Sequence, residues 1–185
     1  MNAIQKFFGH LRTVNRHRRM VRKLCFKCGL YCQGLIHDLS KYSPCEFING
    51  VRFYTGTMSP HVKERKTNGY SIAWMHHVNY GNRHHPEFWC DNLNGTAMQP
   101  VPMPKKYLVE MICDRVAASM IYLGDEYTDS SPLDYYRSHR WECQMHDDTR
   151  NELEYWLFRI ANEGVEPVLA DIKKEIKEGK IKNET

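Results

Sequence analysis

Histidine, aspartate and lysine are grouped in this chain in a way that suits metal chemistry. The residues concerned are His17, the run His37-Asp38-Leu39-Ser40-Lys41, the pair His76-His77, the pair His84-His85, and Asp114. Imidazole nitrogen and carboxylate oxygen together suit iron, manganese, nickel, cobalt or zinc better than an all-oxygen calcium cage. Neighbours on a helix point about 100° apart, so His37 and Asp38 cannot chelate one ion as an i, i+4 pair would. They can still serve one cluster, with the imidazole on one ion and the carboxylate bridging to a second or orienting water. Further ligands must then come from other helices. Within each histidine pair one ring is expected to ligate while its neighbour hydrogen-bonds or faces substrate. His77 and His85 are the primary choices; His76 and His84 are the alternates.

Two of these positions have an ordinary structural reading as well. His17 shares an apolar helical face with Val21 and Leu24, where a histidine is commonly a hydrogen-bonded core residue. Asp114 lies in the apolar stretch 111–118, where an unpaired carboxylate is costly. Ligation satisfies it, and so does a salt bridge to Arg115 or Lys41.

The elements that must carry these residues read as helices. Three Ser-Pro pairs (Ser43-Pro44, Ser59-Pro60, Ser131-Pro132) have the form of helix starts. Glu46, three residues after Ser43, completes the pattern of a capping box. A stripe through His17, Val21, Leu24, Cys28, Tyr31 and Leu35 predicts a first helix, broken near Gly29 and Gly34. One helix is expected from Pro60 through His77 to a turn at residues 79–82, and another from Pro104 past Val116. A later helix should span Asp147 to Asn162 and stop at Gly164, and a last one should follow Pro167 before a Lys-rich tail. Residues 92–104, with three prolines, form the longest expected loop, and strand signals are weak. The chain of 185 residues suits one all-α domain. Its metal-site core lies at about 10–120, with C-terminal helices at about 125–180.

Before Asp38 the chain has eight basic residues and no acidic one, against a net charge of +4 overall. Such a stripe can hold phosphate, RNA or an anionic surface, or remain a solvated helix face. Arg16 and Arg18 are its candidates for substrate phosphate. The seven cysteines and the absence of an apolar leader or span suggest a cytosolic protein with reduced thiols. Cys25, Cys28 and Cys32 have a spacing that a metal cluster could use, but core packing explains it as well. The tryptophans, 74, 89, 141 and 156, are expected to pack the core or wall the cleft. Trp89, near His84-His85, is the one expected to touch substrate.

The series His17, His37-Asp38, His77, His84-His85, Asp114 resembles the HD-domain superfamily, and His37-Asp38-Leu39-Ser40-Lys41 resembles its His-Asp-x-x-Lys element. The strings 73–77 and 82–89, with Glu110, Met111 and Asp114 as a Glu-Met-x-x-Asp element, are similar to an uncharacterised bacterial and phage family of unknown function. The resemblance implies an HD-like helical bundle in which His17, His37, Asp38 and Asp114 hold a metal. It implies that His77 and the 84–85 pair add a second ion, so that one or two divalent ions bind. It also places Lys41 on substrate phosphate or activated water, which makes Asp38 and Lys41 the candidate catalytic pair. Asn82 and Trp89 join Lys41, Arg16 and Arg18 as candidate substrate contacts. The implied function is metal-dependent hydrolysis of a nucleotide or other phosphorylated small molecule. A di-iron oxygenase and a non-enzymatic nucleic-acid or protein-binding module are the alternatives. His77 and His84 are close in sequence and no Gly-Tyr-Pro follows them, so the substrate of the cyclic-dinucleotide branch is not carried over.

Overall fold

The computed structural model describes residues 1–93, 95, 97–139 and 144–179. Trp141, Cys143 and the end of the Lys-rich tail lie outside the described residues. Nine α-helices occur among them: α1 (Ala3–Cys28), α2 (Tyr31–Ile36), α3 (Pro44–Arg52), α4 (Pro60–Asn68), α5 (Ile72–Asn79), α6 (Lys105–Leu123), α7 (Ser131–Ser138), α8 (Asp147–Glu163) and α9 (Val165–Lys177). Two-residue strands β1 (Cys90–Asp91) and β2 (Gln99–Pro100) pair antiparallel and close the proline-rich loop. Among the described residues the fold is therefore all-α apart from this one short ladder.

α1 is the central support, packing against α2, α3, α6 and α9. It starts at a capping box, in which Asn2 and Gln5 satisfy each other's backbone donors, and stops at Gly29 in the left-handed region (φ 84°). Its C-terminal half places Val21, Leu24, Cys25 and Cys28 in an apolar core with Leu108, Met111 and Ile112 of α6. Trp156, Leu153, Leu157 and Ile160 of α8 and Val168, Leu169 and Ile172 of α9 complete that core. Each large side chain buried there contributes roughly 1.5–3 kcal/mol.

Several helix boundaries differ from the sequence reading for identifiable reasons. The helix expected from Pro60 to His77 is two helices, because Gly69 adopts a left-handed cap (φ 84°) and Ser71 caps a new start by accepting from the Trp74 amide. The apolar stripe of α1 does not continue through α2, where Tyr31 and Leu35 are exposed; the turn at Gly29 rotates the face. Ser43 does accept from the Glu46 amide, but the capping box is not completed. The Glu46 carboxylate points instead at two histidines, as described below. Cys25 and Cys28 are buried and Cys32 is exposed. The Cys28 Sγ lies 4.0 Å from the Cys113 Sγ, so two of the three spaced cysteines are core residues.

Candidate metal centre

His37 and Asp38 face one cluster because they are not on a helix. α2 ends at Ile36, His37 is extended (φ −45°, ψ 126°), and Asp38 is left-handed (φ 54°, ψ 27°) before a 3₁₀ turn at Leu39–Tyr42. Asp38 is the only non-glycine with positive φ among the described residues. That backbone costs of order 1–3 kcal/mol and persists where the surroundings enforce it. It turns two side chains that a helix would splay apart toward the same point.

Around that point the donor atoms include two sets of four that share Asp38, beside a third group of His37, His84 and Glu110. One set is His17, His37, Asp38 and Asp114, and the other is Asp38, His77, His84 and His85. The two oxygens of Asp38 divide between them. Oδ2 lies 3.5 Å from His17 Nε2 and 3.4 Å from His37 Nε2. Oδ1 lies 3.2 Å from His77 Nε2 and 3.5 Å from His84 Nε2. Asp114 Oδ1 closes the first set, 2.9 Å from His17 Nε2 and 3.4 Å from His37 Nε2. In the second set His77 Nε2 and His85 Nε2 are 3.0 Å apart. Ligands about 2.0–2.1 Å from an ion are spaced about 3.0 Å along an octahedral edge and about 3.4 Å along a tetrahedral one, so these separations suit ligation.

The other ring nitrogens are held from behind by carboxylates. Glu110 Oε1 is 2.9 Å from His37 Nδ1 and 3.3 Å from His84 Nδ1, so one carboxylate steadies a ring in each set. Glu46 is 2.8 Å from both His77 Nδ1 and His76 Nδ1. Nδ1 donating to these carboxylates leaves the Nε2 lone pairs aimed at the cluster, the usual arrangement behind a metal-bound histidine. Asn82 Nδ2 donates to the His77 carbonyl (2.6 Å) and to Ser40 Oγ (2.8 Å), which locks the short turn between the histidine pairs.

The electrostatics call for a cation. Asp38 and His84 are almost wholly buried, yet both Asp38 oxygens and His84 Nε2 lack a hydrogen-bond partner. The Lys41 ammonium is an ion-pair neighbour of Asp38, 2.7 Å from Oδ2. Burial works to raise the pKa of Asp38, but His37, Lys41 and His77 outweigh it and hold the carboxyl well below the ordinary range. Burial likewise pushes Asp114 up, and bonds from His17 and His37 hold it well below. For His37 burial acts to lower the pKa, while the Asp38 charge and bonds to Asp114, Asp38 and Glu110 raise it well above the ordinary value. Burial and Lys41 act to lower His77, but Asp38 and Glu46 raise it above the ordinary value, whereas burial, His84 and His77 push His85 well below it. The donor set thus fits one or two ions.

All six residues expected as ligands sit in these two sets, and His84 joins them beside His85. His76 is outside both sets, its Nδ1 on Glu46 and its ring stacked on Tyr80. Arg18 donates to the carbonyls of His37 (2.8 Å) and Leu35 (3.1 Å), and Arg16 is exposed on α1. The Trp89 ring lies against Tyr107, with its indole N–H donating to the Arg83 carbonyl. Trp74 is the tryptophan beside the histidines, its ring 4.7 Å from that of His85 and 5.6 Å from that of His77. Asp114 pairs with histidines, and Arg115 lies over the Tyr136 ring. Sequence reasoning missed Glu46 as a histidine partner and gave Glu110 no role. The spacing of Glu46 from Ser43 suggested a cap, and only the fold brings it to α5. His10, by contrast, is a core histidine: burial among Phe47 and Tyr54 lowers its pKa to about 4.

Neither a curated protein nor a solved structure matches the chain. A protein-family model does match, over residues 6–158, a span that contains every residue of both ligand sets. The chain belongs to that family, described as a family of unknown function (DUF5662).

Proposed function

We propose that the protein is a metal-dependent phosphohydrolase acting on a nucleotide or other phosphorylated small molecule. The observation that carries this reading is the division of Asp38 between two four-residue ligand sets, with the Lys41 ammonium 2.7 Å from one of its oxygens. The resemblance of the ligand series to HD-domain hydrolases supports the same chemistry; function still rests on the site rather than on the fold. Bound divalent ions would supply Lewis acidity and a water of lowered pKa. His17, His37 and Asp114 would hold one ion, His77, His84 and His85 the other, and Asp38 both.

The chain's own side chains account for the remaining requirements. Glu46 and Glu110 fix the tautomers of three ligating rings, so the site is oriented before substrate arrives. With two ions bound both Asp38 oxygens would be engaged and Asp38 would act as their common ligand; with one ion bound, its other oxygen would be placed to accept a proton from the attacking water. Lys41 is the cation nearest the cluster, and with its side chain 26% exposed it can turn a donor toward a phosphate oxygen. Asn82 steadies the turn through His77 and Ser40, and it lines a concavity beside His37, His84 and Glu110 from which it could also meet substrate.

The test is release of phosphate from a panel of nucleotides and phosphoesters by metal-loaded protein, with chelated protein and Lys41→Gln as controls. Hydrolysis that needs both metal and Lys41 is the expected result. Loaded protein that hydrolyses nothing in the panel overturns the proposal. Oxygen consumption by the reduced iron form, without hydrolysis, would move the assignment to oxygenase chemistry on the same ligands.

A further inference from the structure

The basic stripe of α1 supplies no ligand to the metal centre, although Arg18 holds the His37 carbonyl. Three of its arginines, Arg18, Arg19 and Arg22, line a concavity of about 180 Å³ together with Asn15, Tyr42 and Gly34. No carboxylate lines it. Gly34 makes it possible, because a Cβ there would meet Cys25 Cβ at 3.0 Å and Phe26 Cδ1 at 3.1 Å. Without a side chain at 34, α2 lies close enough to α1 for Arg18 to reach the carbonyls of Leu35 and His37. Arg18 also donates to the Tyr42 hydroxyl (3.3 Å), which itself donates to Asn15 Oδ1 (2.5 Å), and its guanidinium stands over the Tyr42 ring at 5.1 Å. One wall of the concavity is therefore a guanidinium held in place before any ligand arrives.

Arg19 and Arg22 form the rest of the positive wall. Both are exposed and have no ion-pair or hydrogen-bond partner among the described residues. Arg18 and Arg22 stand at i, i+4 and Arg19 and Arg22 at i, i+3, spacings at which like charges repel. A fixed guanidinium and two unpaired ones around a space with no carboxylate form a receptor for a compact polyanion. Guanidinium groups match phosphate oxygens in pairs.

We propose that this pocket binds the phosphate group of a small molecule at a site separate from the metal centre. The volume admits one or two phosphate groups. Arg18 stands over the ring of Tyr42, so the tyrosine's contribution to the pocket is to position that guanidinium. The proposal does not require phosphoryl chemistry at the metal centre and stands if that reading fails.

The experiment is calorimetric titration of the metal-loaded protein with inorganic pyrophosphate, comparing wild type with the double variant Arg19→Gln/Arg22→Gln. Both positions are exposed, and metal content is measured in each protein. The expected result is a class of pyrophosphate sites that weakens at least about tenfold in the double variant, with metal content unchanged, and that weakens with added salt in wild type. Arg22→Lys, which keeps the charge but not the paired donors, should bind between wild type and the double variant and guards against a folding artefact. Identical titrations of wild type and double variant overturn the proposal. So does arginine-dependent binding of a single-stranded RNA oligonucleotide without arginine-dependent binding of pyrophosphate, which would make the stripe an RNA backbone surface.

Discussion

Two interiors meet along α1 and α6, and they are built on opposite principles. Toward the C-terminus of α1, Val21, Leu24, Cys25 and Cys28 face hydrocarbon supplied by α6, α8 and α9. One turn earlier, His17 faces His37 and Asp38 from the turn after α2 and Asp114 from α6. α6 makes the same change within two residues, from Ile112 in the apolar core to Asp114 in the ligand set. The apolar interior is complete without any added component, since each buried methyl group is stabilised wherever it escapes water. The polar interior gathers buried carboxylates and imidazoles that could hold a metal ion. Stability and function are thus placed side by side on the same two helices.

That contrast can be broken most severely at Asp38. Asp38→Ala removes the one residue common to both ligand sets, so elemental analysis should show metal content collapsing. Losing a cation's charge stabilisation, worth several kcal/mol, should lower phosphohydrolase turnover by about 1,000-fold or more. Full metal retention in this variant would contradict the shared-ligand arrangement. The matching change in the apolar half is Leu157→Ala on α8. It should cost about 2–5 kcal/mol of unfolding free energy in denaturant titrations while leaving the metal content per folded chain as in wild type. If Leu157→Ala emptied the metal centre, the two interiors would not be separable.

Glu110→Gln and Glu46→Gln act on ring orientation rather than ligation. Each should weaken metal affinity about 10–100-fold in competition with a chromogenic chelator. Glu110 should affect both ligand sets and Glu46 mainly the one holding His77, because Glu110 touches His37 and His84 whereas Glu46 touches His76 and His77.

The pH response of chelated protein sharpens the comparison further. His37 and His77 are raised above 6.5, so their contribution is full below pH 6.5 and is lost as pH rises through their folded values. Asp38 and Asp114 are depressed below 3.8, so theirs is present above pH 3.8 and is lost as pH falls through their folded values. His10, His61 and His85 are lowered and oppose this up to about pH 6.5, so chelated protein should melt at a lower temperature as pH rises from about 7 to about 9. Metal affinity should rise over the same range, because binding displaces protons from the rings. A chelated-protein melting temperature that climbs with pH would show that the cluster is not held by protonated rings. The smallest effect is expected from the exposed ion pair between Lys27 and Glu166. Lys27→Met should change stability by less than about 1 kcal/mol and metal content not at all.

Much of the helical frame was legible locally. Ser43-Pro44 and Gly164 mark helix ends that the structure reproduces, because caps depend on a few neighbouring residues. The break between α4 and α5 was harder to see. Asn68-Gly69 is a stop signal, but Ile72, Ala73, Met75 and the two histidines extend the apolar pattern beyond it. The candidate ligands stood out because histidine pairs beside a His-Asp dipeptide have few ordinary explanations. Their partners did not, since Glu46 obeys a local capping pattern equally well and Glu110 stood out only as part of the Glu-Met-x-x-Asp element, with no role attached.

The sequence alone determined the inventory: an all-α chain, a basic first helix, and His and Asp residues enough for one or two ions. Tertiary structure decided which atoms meet. The left-handed turn at Asp38 brings His37 and Asp38 to one point, although a helix would have separated them. The packing of α5 on α3 gives Glu46 to the histidines in place of the helix start. The contact of α2 with α1 at Gly34 ties Arg18 to backbone carbonyls and so removes it from the list of free phosphate ligands at the metal centre. Residue type and spacing limit what chemistry is available. Assigning each polar group to one partner depends on long-range geometry, because a buried donor or acceptor takes whichever partner the packed chain brings within about 3 Å.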